Sequence, residues 1–355
     1  MSARARGATL WVGAALVLVG VPLGASVPAL DVVGGVRTGS MPKGVSISPD
    51  GRTLYVTNYG NANSNNVMLF DATTLAQTGT IHVPGIVVES VLSPDGRTLY
   101  VSNFTRGTVQ FVDIASRRVT REVRAGGHPK VLALSRDGAR LFIANWGTHN
   151  VTEVETARGT VTRTMRAGRN PRGMVVTRAG RLYVANFNGH TIDVYEGANM
   201  ETHRRLDPVC RIPRHLALSP DETRLYVSCF SHSKLLVLDT QTERPLREVS
   251  VGEWPKSIDV TSDGRYVGTA NYGGSSVSVV DTTDWSVTTL DVPAMDHASG
   301  IVSARSGMRF FVTGWYDNHL FTVAAQGSSP AWTISDAQRA LTLRQRDFHR
   351  RHPAE

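Results

Sequence analysis

Ser48-Pro49-Asp50-Gly51-Arg52-Thr53-Leu54-Tyr55-Val56-Thr57-Asn58 returns almost unchanged as Ser93-Pro94-Asp95-Gly96-Arg97-Thr98-Leu99-Tyr100-Val101-Ser102-Asn103. Weaker copies end at Asn145, Asn186, Cys229, Asn271 and Gly314, so the steps are 45, 42, 41, 43, 42 and 43 residues. Each copy holds an apolar-alternating run, a turn, two β-rich runs, an Asp-led turn and a further run. Asp-Gly supplies the hairpin turn at little conformational cost. Short strands punctuated this regularly predict an all-β repeat structure. Seven copies of four strands predict a seven-bladed β-propeller over residues 30–325.

The chain ends fit a closed ring. Residues 32–38 read as a fourth strand placed before the first copy, and the seventh copy has only three strands. The N-terminal strand is therefore expected to complete blade seven and to remove the open sheet edges.

Tyr55-Val56-Thr57-Asn58 resembles the signature of the YVTN-repeat family of seven-bladed propellers. Tyr100-Val101-Ser102-Asn103, Phe142-Ile143-Ala144-Asn145, Tyr183-Val184-Ala185-Asn186 and Tyr226-Val227-Ser228-Cys229 are similar. The resemblance implies the fold. It leaves function open among extracytoplasmic binding proteins, surface-layer modules, lactonases, lyases and quinoprotein subunits.

Residues 1–25 have the layout of a secretory signal peptide: Arg4 and Arg6, a short apolar run, then small residues. The expected location is secreted or extracytoplasmic, periplasmic or at the cell surface. No transmembrane segment is expected after leader removal, and a monomer is expected. The 355 residues carry a net charge of +8, from 34 Arg and four Lys against 30 acids. Residues 330–355 hold Arg339, Arg344, Arg346, Arg350 and Arg351 behind a capping-box pattern, which predicts a short basic helical tail. An exported propeller meets little nucleic acid, so none is expected as a partner.

Six residues before the turn Ser, five copies carry Pro followed by a base: Lys43, Lys130, Arg172, Arg214 and Lys256. Blade two has Val88 there and blade seven has Ala298, just after His297, which joins the five bases as a candidate ligand-binding residue. A ring of these charges at one channel mouth would draw an anionic small molecule or an anionic protein partner. The other reading is a set of solvated surface charges. One step inward come Gly44, Glu89, Val131, Gly173, His215, Ser257 and Ser299, and two residues deeper lies Asp259. His215, Glu89 and Asp259 are the candidates for acid–base chemistry of a lyase or lactonase type, with Glu89 orienting His215. A hydrogen-bonded polar plug is the alternative. Gly44 and Gly173 are expected to leave room for a ligand. A protein-interaction scaffold is a third reading.

Every copy has an aromatic residue directly after the motif: Tyr59, Phe104, Trp146, Phe187, Phe230, Tyr272 and Trp315. Such a residue is expected to pack between adjacent blades rather than to form a cage. The only two cysteines, Cys210 and Cys229, fall on one face of blade five. In an exported chain they read as a disulfide. A zinc or copper site built from Cys210, His215, Cys229 and His232 is the rival. No haem, nucleophile-elbow, phosphate-loop or calcium-loop motif is present, and no cofactor is expected.

Overall fold

A computed structural model describes residues 27–62, 64–328, 342–343 and 346–347. The expected leader lies outside these residues, as does most of the tail. Seven four-stranded antiparallel sheets follow one another along the chain. The first runs Pro42–Ile47, Thr53–Asn58, Val67–Asp71 and Gln77–Ile81. The last is closed by the N-terminal strand: Leu30–Arg37 lies beside His319–Ala325, followed by Arg309–Gly314 and Ala298–Ser303. The protein is a seven-bladed β-propeller, and the ends of its chain join in blade seven.

The repeated turn explains the repeated sequence. Gly51 has a φ of 75°, which a side chain would strain. Ser48 Oγ donates to Asp50 Oδ1 at 2.5 Å and accepts from Thr53 N at 2.9 Å. The same bond ties Ser93 to Asp95 at 2.6 Å and Thr261 to Asp263 at 2.6 Å. Each sheet then buries its faces against its neighbours. Ile47, Leu54, Val56 and Phe70 of blade one pack with Phe311 and Leu320 of blade seven. No blade could bury such a surface alone, so closure and stability are one property.

Blade five departs from the pattern in an informative way. In blades two, three, four and six the buried motif Asn donates to a polar residue seven positions on. Asn103 Nδ2 reaches Gln110, Asn145 reaches Thr152, Asn186 reaches Asp193 and Asn271 reaches Ser278, each at 2.9 Å. In blade five the motif ends in Cys229, and the residue seven on is Leu236. A disulfide to Cys210 takes the place of the polar tie, with Cα atoms 5.9 Å apart. Both sulfurs are thereby consumed, which removes the thiolates that the rival zinc or copper site with His215 and His232 required. Reducing this bond, which closes a 19-residue separation, is expected to lower unfolding stability by about 3 kcal/mol. Denaturant titration with and without reductant measures it, and overlapping curves would contradict it.

Of the tail, residues 342–343 and 346–347 are helical. Arg346 donates to Gly274 O and Asp291 Oδ1, each at 3.0 Å, and so contacts blade six. Among the described residues no helix is long and apolar enough to cross a membrane.

Candidate functional site

The channel mouth is built by one local device repeated around the ring. The residue before each basic-site Pro is left-handed: Met41, His128, Asn170, Ile212 and Trp254 have φ of 52° to 60°, and His297 before Ala298 has 64°. Such values are costly for side chains of this size. In return, the carbonyl of that residue accepts the N–H of the aromatic residue after the motif. The bond forms in all seven blades, at 2.8 to 3.2 Å, from Tyr59 N→Met41 O to Trp315 N→His297 O. Pro then pairs with the motif Asn, as Pro42 with Asn58, and the register slips immediately afterwards. The slip recurs in every inner strand, at Val87, Pro129, Pro171, Pro213, Pro255 and Ala298. A bulge there re-aims the next side chain, which is the basic one.

The result is an alternating ring of cations and aromatic faces. Lys43 Nζ lies 5.1 Å from the Tyr59 ring centre and 5.0 Å from Trp315. Lys130 lies between Phe104 and Trp146, at 4.5 and 5.3 Å. Arg172 sits over Trp146 and Phe187, at 5.4 and 5.5 Å. Arg214 sits over Phe187 and Phe230, at 5.5 and 4.4 Å. Lys256 sits over Tyr272 and Trp315, at 4.5 and 4.9 Å. Blade seven lacks a base, so Trp315 serves two lysines. The rings also touch across blades, as Trp146 and Phe187 do at 5.1 Å. The expected packing between blades is present, and the cations are threaded through it.

These five cations are not solvated surface charges. Lys43 and Lys256 are only 7% and 6% exposed. Among the described residues none of the five pairs with a carboxylate, whereas the remaining lysine, Lys234, is exposed and paired with Glu248. Arg214 Nε is buried with no hydrogen-bond partner. Lys256 Nζ donates to Ser299 Oγ at 2.5 Å. Burial, then the charges of Arg172 and Arg214, bring the Lys43 ammonium down to about 7, against the pull of Glu89. Burial, then Lys43, Arg172 and Arg214, bring Lys130 down to about 5. Burial brings Arg172 down to about 10. Lys256 and Arg214 are lowered for the same first reason.

Below the ring, Glu89, His215, Ser257 and Asp259 line a cavity of 270 Å³ in the channel. Among the described residues Glu89 is the carboxylate that acts on all five rim cations. Burial raises its pKa, while Lys43, Lys256, Arg172 and Lys130 oppose the shift. A Cβ on Gly44 would overlap Glu89 Oε2, so the missing side chain makes room for this carboxylate rather than for a ligand. A Cβ on Gly173 would meet the backbone of His215 at 2.7 Å, so that glycine serves close strand packing. Both expectations of ligand space are thereby corrected.

His215 is brought down to about 4, first by burial and then by Arg172 and Arg214. Its Nδ1 accepts from Ile258 N at 3.4 Å, which leaves the proton on Nε2. Glu89 makes no hydrogen bond to His215 among the described residues. Asp259 Oδ2 accepts Ser303 N at 2.6 Å and Ser303 Oγ at 2.9 Å, so its carboxylate braces blade seven. His297 Nδ1 bonds Asp296 Oδ1 at 2.6 Å, and its ring contacts Tyr272 and Tyr316. The loop histidines also brace the mouth: His149 Nδ1 accepts Asn170 N and His190 Nδ1 accepts Ile212 N, both at 3.1 Å. They hold two of the left-handed residues in place.

Comparison with known proteins adds two partial family matches. Residues 77–245 match the model of the choice-of-anchor I domain, and residues 209–307 match that of the lactonase, 7-bladed beta-propeller. Each spans less than half of the chain. No curated protein matches. Among solved structures, hydrazine synthase of Kuenenia stuttgartiensis is similar over 82% of this chain and 97% of its own, with a TM-score of 0.72 and 18% identity. At that identity the likeness concerns the fold.

Proposed function

We propose that the protein is an exported binding propeller whose channel mouth takes a small anion bearing at least two negative charges. The carrying observation is a set of five cations, Lys43 and Lys256 buried and Lys130, Arg172 and Arg214 half-buried, without a carboxylate partner among the described residues. A buried cation is normally paired or neutralised. Here Lys43, Lys130, Arg172, Arg214 and Lys256 face one another around a single acid, Glu89. A di- or tricarboxylate or an oligophosphate would meet several of these bases at once and restore the charge of the depressed lysines, which a monoanion would do for fewer of them. The aromatic faces are already occupied by cations, so the ligand meets N–H donors rather than rings. Arg214 Nε is one donor waiting for an acceptor. The leader-like N-terminus supports export, as does the disulfide.

The test is a thermal-shift and calorimetric series with acetate, citrate and tripolyphosphate on the leader-free chain. The multiply charged ligands are expected to stabilise the fold by about 2.7 kcal/mol at a hundred times their Kd, and acetate much less at equal concentration. Equal, negligible shifts for all three would sink the reading.

A lactone-hydrolysing enzyme is the second reading. It is favoured by the lactonase-type match over residues 209–307, the segment that contains His215 and Asp259. With its proton on Nε2, His215 would donate a hydrogen bond to a carbonyl rather than act as the base. Turnover of a lactone that is lost in His215→Ala while binding persists would support it.

A further inference from the structure

A second cavity opens beside the mouth, between blades three and four. It has a volume of 1060 Å³, and its lining includes His149, Arg166, Arg169, His203 and Arg205. The turn at residues 169–172 sends one guanidinium to each place. Arg169 lines the cleft, while Arg172 lies against Trp146 and Phe187 in the mouth. Asn170, between them in sequence, is pinned from three sides. It donates from N to His149 Nδ1 at 3.1 Å and from Nδ2 to Trp146 O at 3.0 Å, and it accepts from Asn188 Nδ2 at 2.8 Å.

One wall of the cleft is preorganised by a buried acid. Asp193 is fully buried. Its Oδ1 accepts Arg205 Nε at 2.6 Å and His203 Nε2 at 3.1 Å. Its Oδ2 accepts Gly168 N at 2.7 Å and Asn186 Nδ2 at 2.9 Å. His203 is held further by stacking on Tyr195, ring centres 4.7 Å apart. The orientation of Arg205 and His203 is therefore set before any ligand arrives. On the other wall Arg166 and Arg169 have no carboxylate partner among the described residues. His149 accepts on Nδ1, so its Nε2 is a donor.

We propose that this cleft is an anion site separate from the channel mouth, and that it binds a phosphate or sulfate ester carried on a hydroxyl-rich body. Guanidinium forks bind oxyanions through paired N–H···O bonds, and the three terminal oxygens of a phosphate or sulfate ester can meet more than one of Arg166, Arg169 and Arg205 at once. The volume exceeds what a bare ion fills and suits a whole small molecule. Thr148, Asn150 and Thr164 supply hydrogen-bonding groups along the lining, which contains no Phe, Tyr or Trp for a base or ring to stack on.

The experiment is calorimetry with glucose 1-phosphate, glucose 6-sulfate and glucose on the leader-free chain. At least one ester is expected to bind and glucose is not, and the two esters distinguish the phosphate from the sulfate source. Arg166→Ala/Arg169→Ala removes two exposed, unpaired side chains, so its melting temperature is expected to match the wild type. Its ester affinity is expected to fall by at least about tenfold. Arg172→Met, in the mouth, is expected to leave ester affinity within about twofold. Failure of both esters to bind, binding of glucose as tight as the esters, or unchanged affinity in the double variant would each overturn the proposal. Loss of affinity in Arg172→Met with the double variant unaffected would place the ester in the mouth and overturn it as well.

Discussion

Arg172→Met is expected to weaken binding of citrate or tripolyphosphate at the mouth by about a hundredfold, through loss of one close charge pair in a partly desolvated site. Arg172 is the suitable position because its charge is felt most widely. It depresses Lys43, Lys130, Arg214, Lys256 and His215, and it opposes the rise at Glu89. Removing it has opposite consequences for the two states. The liganded state loses an attractive contact. The unliganded state loses a repulsive one, so Lys43, Lys130 and His215 relax toward their ordinary values. The unliganded variant is therefore expected to melt no lower than the wild type, despite the lost stacking on Trp146 and Phe187. A residue with a merely structural role would show the reverse pattern, lower melting with affinity retained. That outcome, in paired melting curves and titrations, would remove Arg172 from the site.

The propeller was legible because its signals are local and repeated. Ser-Pro-Asp-Gly is a turn wherever it occurs, and a Ser or Thr bond to the turn Asp recurs in five of the seven blades. The rim was legible too, since one alignment position carried Lys43, Lys130, Arg172, Arg214 and Lys256. Its environment was not. Burial of Lys43 depends on Trp315, more than 250 residues away in sequence and in another blade. The left-handed residues that build the mouth are Met41, His128, Asn170, Ile212, Trp254 and His297, which share no side-chain property. Their carbonyls accept the aromatic N–H, a backbone contact that leaves no compositional trace and that Ile86 makes in blade two without a positive φ. Gly44 shows the same limit. It reads as space, and only the neighbouring blade shows that Glu89 fills it. The cleft near Asp193 escaped notice because Arg166, Arg169, His203 and Arg205 come from two blades and follow no repeat position.

The pH dependence of anion binding at the mouth is expected to run opposite to that of a carboxylate-built site. In the unliganded fold Lys130 titrates at about 5 and Lys43 at about 7, both far below the ordinary lysine value of 10.5. At pH 7 Lys130 is therefore mostly neutral and Lys43 half so. A bound anion favours the charged forms and raises both values, so binding takes up protons wherever the pH lies between the unliganded and liganded values. Affinity then falls by about tenfold per pH unit for each proton taken up. Glu89 acts in the same direction, because its ionisation as pH rises adds a like charge beside the ligand. His215, at about 4, stays neutral throughout. Ethane-1,2-disulfonate is a suitable probe, since it remains ionised and contributes no protons of its own. Its affinity is expected to be greatest near pH 5 and to drop by at least about tenfold between pH 7 and 9. The unliganded fold is expected to show the opposite trend. Its lysines bind fewer protons than the unfolded chain between about 5 and 10.5, so their contribution to stability grows as pH rises through that window. Calorimetry in buffers of different ionisation heat counts the protons directly. An affinity that is flat from pH 5 to 9, with no proton uptake, would mean that the rim lysines stay charged without a ligand, and that the aromatic faces alone sustain them.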